Sequence, residues 1–256
     1  MLFSIKKYII GKFERRRDKK DIFMKIFYRM FSNVYKKIYQ NYPDKKHLAE
    51  QYWGRKTGFE HAKDQIARSK QDWFSRNSEF YTLVKENLYE GIKILEIGCS
   101  AGQWPSRFEL EKYNCNYLGI DINDQSIELA KKHCKSPRIC FKTQHIGDFK
   151  NWSAFNLIIS CQTLFFIDMK QINKMLKNMK KGSTIIISEP VNNDSEEYVE
   201  SYLLHNTNKT NFGLSHNYQY ILSNNNFSII HQNKIKSKIN RLSKKIIYAK
   251  KNNRLH

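Results

Sequence analysis

From Ile92 to Trp104 the chain reads Ile-Lys-Ile-Leu-Glu-Ile-Gly-Cys-Ser-Ala-Gly-Gln-Trp, and this stretch restricts the fold most. An apolar run closes on an acid and then breaks into small residues. The pattern predicts a strand buried on both faces that enters a tight turn. Gly98 and Gly102 have no Cβ, so the backbone there can take positive φ and come close to a ligand. The residues after Gly102 are expected to open a helix whose first amides face back toward that ligand.

A second apolar run, Tyr117 to Ile122, also ends in an acid. Asp121 lies 25 residues beyond Glu96, near the roughly 20-residue spacing at which a second-strand carboxylate meets a ribose. Asp148, in Ile146-Gly147-Asp148-Phe149, follows a third strand candidate. Three acids at the ends of successive strands would line one crevice. Strands are expected at 92–97, 116–121, 138–143, 155–161, 183–189, 227–234 and 244–250. Helices are expected at 103–113, 124–134, 169–181 and 215–224. This alternation predicts an α/β fold with helices on both faces of a mostly parallel sheet.

The run Glu96-x-Gly98-x-Ser100-x-Gly102 resembles the acid-x-Gly-x-Gly-x-Gly motif of the class I S-adenosylmethionine-dependent methyltransferases, with Ser100 replacing the middle glycine. The resemblance covers roughly residues 85 to 250. It implies a Rossmann-like, seven-stranded sheet with an antiparallel last strand, and S-adenosyl-L-methionine as cofactor. By the same resemblance Asp121 holds the ribose hydroxyls and Asp148 the adenine amino group, while Ile122 and Phe149 flank the ring. Glu96, carbonyls near Gly98 and amides of the turn meet the methionine end, and Cys161 lies near the cofactor after the fourth strand. A helical segment at 48–90 would serve as a lid, with Tyr52, Trp53 and Arg55 as its candidates.

The same resemblance implies that an insertion at 192–214 within the domain 91–256 forms the acceptor pocket, with His205 inside it and Tyr218 just beyond. His216 and Glu189 are the candidate bases. Plainer roles stand beside these: helix packing for the aromatics, capping for Asp121, a small buried thiol for Cys161 and a simple hydrogen bond for His216. No metal site is expected, because no cluster has ligand spacing.

Of the formal charge of +21, residues 1–47 contribute 14 basic against 4 acidic side chains, and residues 231–256 contribute 9 against none. The middle of the chain is therefore nearly neutral. The first 47 residues read as a basic, amphipathic helical extension whose stripe includes Phe23, Phe27, Val34 and Ile38. Such a stripe suits docking on a partner or on the catalytic domain, or peripheral contact with an anionic membrane. Five cysteines without a paired spacing point to a reduced, cytoplasmic protein, peripheral at the inner face of the membrane if the extension binds lipid. The expected activity is methyl transfer to a small polar acceptor, a hydroxyl of a sugar or sugar-like metabolite. The alternatives are an RNA methyltransferase that grips phosphates with its basic ends, and a cofactor-binding scaffold without turnover.

Overall fold

A computed structural model describes Ala62, residues 77–193, the backbone of 202–203, and residues 213–236 and 242–253. The expected N-terminal extension and most of the expected lid, with Tyr52, Trp53 and Arg55, lie outside the described residues, as does His205.

Five parallel strands form the centre: β1 (Lys93–Ile97), β2 (Asn116–Asp121), β3 (Ile139–Thr143), β4 (Leu157–Cys161) and β5 (Thr184–Asn192). The sheet is completed by β8 (Phe227–Lys236) and β9 (Leu242–Lys251) in the order β3-β2-β1-β4-β5-β9-β8. β9 runs antiparallel to both β5 and β8. A two-stranded ribbon, β6 (Tyr202–Leu203) and β7 (Leu214–Ser215), lies in the insertion, where the sequence pattern predicts no strand.

Helices cover both faces, which is why the central strands are apolar throughout. On one face Ile94, Leu157, Ile159 and Ile186 pack with α1 (Ser78–Glu86), α2 (Trp104–Phe108) and α3 (Asp124–His133) through Phe80, Val84, Trp104, Phe108, Ile127 and Ala130. On the other, Leu95, Ile158, Ile185 and Ile247 meet α4 (Met169–Asn178) and α5 (Tyr218–Ser223). Each large side chain so buried stabilises the fold by about 1.5–3 kcal/mol relative to exposure.

The helix expected over 103–113 is interrupted. α2 stops where Glu109 takes a left-handed φ of 55°, and a 3-10 turn, Leu110–Tyr113, follows. The expected helix at 215–224 begins later, because Leu214 and Ser215 pair with the ribbon instead. α5 then starts after Asn217, whose side chain accepts from the Tyr220 amide at 3.1 Å. α4 carries Ile172, Met175 and Leu176 on one side, the i, i+3, i+4 spacing that makes a single buried stripe. Asp168 caps it by accepting the Gln171 amide at 2.9 Å. At its other end the Lys251 ammonium donates to the carbonyls of Leu176 and Lys177 at 2.5 and 2.9 Å.

Candidate active site

The crevice opens at the C-terminal ends of β1, β2 and β4, where the order of the sheet reverses direction. β1 delivers Glu96, buried on the α1–α3 face with 2 % exposure. Its register partner on β2 is Gly119, which presents no side chain, and the hydroxyl of nearby Tyr117 donates to the Glu96 carboxylate. Burial raises the Glu96 pKa to about 8, the Tyr117 hydrogen bond opposes that rise, and the Asp121 charge adds to it. Tyr117 joins the site although its sequence context marks it only as part of a strand.

The loop after β1 is held from several sides. Gly98, Ser100 and Gly102 all have positive φ, at 74°, 47° and 70°. Ser100 thus adopts the left-handed conformation that the replaced glycine would take freely, at a cost of roughly 1–2 kcal/mol. A Cβ on Gly98 would collide with the Thr163 side chain, and one on Gly102 would stand 2.7 Å from the Phe141 ring. The two glycines are required by packing as much as by dihedral.

The loop amides expected to greet the methionine carboxylate are engaged within the protein. Gly98 and Cys99 donate to the Ile120 carbonyl at 2.8 and 3.1 Å, and Gly102 to that of Cys99 at 2.9 Å. Ser100 donates to Asp121 Oδ2 at 2.9 Å.

Asp121 ends β2 half-buried, its other oxygen accepting from the Asn123 amide at 3.0 Å. Burial raises its pKa, and the hydrogen bonds from the backbone of Asn123, Ser100 and Ile122 draw it back down. Even with three backbone donors, about one of the roughly four lone-pair sites a carboxylate offers stays open. Room remains for a ribose hydroxyl. Ile122 follows half-buried at the crevice, and Asp148 is exposed in the 3-10 turn Ile146–Asp148. Phe149 points inward, its ring edge-on to Trp152 at 4.6 Å and tilted to Phe155 at 6.1 Å. It packs in the core with Trp152 and Phe155.

Glu189 and His216 converge, but on a turn and not on open space. Glu189, wholly buried, accepts from the Ser160 hydroxyl at 2.9 Å, the Thr163 and Leu164 amides at 3.1 Å each, and the Phe165 amide at 3.4 Å. Burial outweighs these donors and raises its pKa to about 7. His216, 1 % exposed, directs Nε2 to the Leu164 carbonyl at 3.2 Å. Tyr218 is likewise buried, with its ring edge-on to His216 at 5.4 Å. All three side chains are enclosed beside the turn that follows β4.

At the end of β4, Gln162 takes a positive φ of 59° with its side chain exposed. Cys161 sits beside it, its Sγ 3.6 Å from Asn77 Oδ1, and burial pushes the thiol pKa up. The same Asn77 oxygen receives the Lys244 ammonium at 2.6 Å. Lys244, half-buried on β9, has its pKa lowered by desolvation. Sequence reasoning misses Asn77 and Lys244 because they come from distant stretches that meet only in the fold.

The sheet order, the acid-ended strands and the glycine loop define a class I S-adenosylmethionine-dependent methyltransferase fold. The methyltransferase domain family matches residues 88–245, more than half of the chain, and the chain belongs to it. The carboxy-S-adenosyl-L-methionine synthase of Staphylococcus epidermidis is 30% identical over 136 residues, 51% of this chain and 58% of that one. The chain thus spans less than two thirds of that relative's length. Among solved structures, magnesium protoporphyrin IX methyltransferase from Synechocystis with bound S-adenosylmethionine superposes with a TM-score of 0.58 at 16% identity, covering 82% of this chain and 99% of that one. Geranyl diphosphate C-methyltransferase from Streptomyces coelicolor, solved with S-adenosylhomocysteine, gives 0.61 at 11% identity and covers the same shares. The residues present fit that cofactor. Asp121 retains acceptor capacity for a ribose hydroxyl, Ile122 offers an apolar face, and Glu96 supplies a carboxyl beneath the loop.

Proposed function

We propose that the chain transfers the S-methyl group of S-adenosylmethionine to a small polar acceptor, a hydroxyl of a sugar or sugar-like metabolite. The observation that carries this reading is the polar cluster at the end of β4 and the start of β9, where Cys161 and Lys244 both donate to the Asn77 side-chain oxygen. A polar cluster matches a polar acceptor, whereas a sterol or prenyl chain calls for an apolar one.

When bound, the cofactor supplies an already activated methyl group. The chain's task is then to hold the acceptor in line and to keep water out. Asp121 holds the ribose, Asp148 the adenine edge, and Glu96 with the Gly98 turn the methionine end. A hydroxyl acceptor also needs somewhere to send its proton. Glu189 and His216 are bonded into the turn after β4, so in this reading the Lys244 ammonium donates to the acceptor oxygen and orients it, and the hydroxyl proton leaves to solvent. Contact of residues 1–47 with an anionic membrane or a partner, and a cytoplasmic setting, belong to the same proposal, supported by the excess of basic residues there.

Radiolabelled methyl transfer from S-adenosylmethionine into sugar, nucleotide-sugar and glycan pools tests the reading. Label should enter one of these pools with the wild type and not with Asp121→Ala, and Lys244→Met should slow transfer while retaining cofactor affinity. Label in none of the three pools would reject the acceptor class, and label appearing only in RNA would replace it.

A further inference from the structure

We propose that Glu189 and His216 are positioning residues that fix the turn after β4 against the cofactor loop, a role resting on the assignment of that loop to S-adenosylmethionine. The amides of Thr163, Leu164 and Phe165 have no backbone acceptor among the described residues and all point at one buried carboxylate. The carbonyl of Leu164 is held from the opposite side by His216. Thr163 in turn occupies the space that a Cβ on Gly98 would fill. The turn is therefore clamped by β5 and by the residue after β7, and presses on the loop expected to carry the methionine end.

The stem of the 192–214 insertion joins the same clamp. The Asn192 amide donates to the Ser215 hydroxyl at 2.8 Å, tying the end of β5 to β7 one residue before His216. Whatever the insertion binds, its two ends are anchored to the turn that touches Gly98. Neither Glu189 nor His216 reaches the reacting atoms in this role; both act through residues 163–165.

Three of the four bonds to Glu189 end on a single oxygen, Oε1. A glutamine oxygen can stand in for Oε1 toward these donors at the loss of the long Phe165 contact to Oε2, so geometry and charge can largely be separated. Amide hydrogen exchange of the segment 162–167 in the full-length protein, with S-adenosylhomocysteine binding measured in parallel, is the test. In the wild type the amides of 163–165 should exchange slowly. In Glu189→Ala they should exchange about tenfold faster or more, and affinity for S-adenosylhomocysteine should fall by about tenfold, the scale of losing hydrogen bonds to a charged group. Glu189→Gln should restore both, while His216→Ala loosens the same segment. Unchanged exchange in Glu189→Ala, or a glutamine variant as impaired as the alanine one, would overturn the proposal. If Glu189→Ala does not fold, rapid exchange of 163–165 in the wild type would overturn it alone. A wild type with a protected turn but no affinity for S-adenosylhomocysteine would refute the cofactor assignment, and with it the role, while leaving the clamp.

Discussion

Glu96 shows how a single buried carboxyl ties the site to pH. Its folded pKa of about 8 stands above the ordinary 4.5, so the folded state favours the protonated form. The stability this confers is full below about pH 4.5 and is lost as the pH rises through about 8. Chemical denaturation of wild type and Glu96→Gln across pH 6 to about 9 should show the wild type losing more stability than the variant, and equal losses would contradict the assignment. Tyr117→Phe should push the transition higher still, because the lost hydrogen bond favoured the ionised form. Asp121 is legible in sequence as the acid that closes the second apolar run, and it does end β2. Glu189 and His216 are legible as polar residues near the site but not in their role. Residue type says what a side chain can accept or donate, and only the fold decides which backbone groups reach it first. Phe149 defeats a local reading for the same reason: an aromatic beside an acid can turn to either side, and Trp152 and Phe155 meet it in the core.

The elements themselves are legible where both periodicity and length are decisive. All seven strands of the main sheet lie where the apolar runs place them, since a short run between turn signals leaves little choice. Helix ends are less legible. The pattern over 103–113 stays amphipathic past Glu109, and nothing local announces its left-handed turn. α4 is better marked, with Asp168 before its buried stripe. Removing that cap in Asp168→Ala should cost about 1 kcal/mol, read as a lower denaturation midpoint with an unchanged slope; no change would mean that the Gln171 amide finds another acceptor. The basic C-terminal stretch takes on a different meaning in the fold. It reads as a charged end, yet Lys244 and Lys251 belong to a strand paired on both sides, one bonded to Asn77 and the other closing α4.

At the scale of the whole molecule, one sheet places the three acids, the glycine loop and the clamped turn on a common edge. Sequence can locate each of these along the chain but not the lateral order that sets β9 beside β5 and brings Lys244 to Cys161. Cofactor binding is the property on which every other statement about the site depends. Isothermal titration of the full-length protein with S-adenosylhomocysteine tests it most directly. About one equivalent bound at micromolar affinity, roughly 8 kcal/mol, and lost in an Asp121→Ala variant that remains folded, is the predicted result. No binding by the wild type, or undiminished binding by Asp121→Ala, would contradict it.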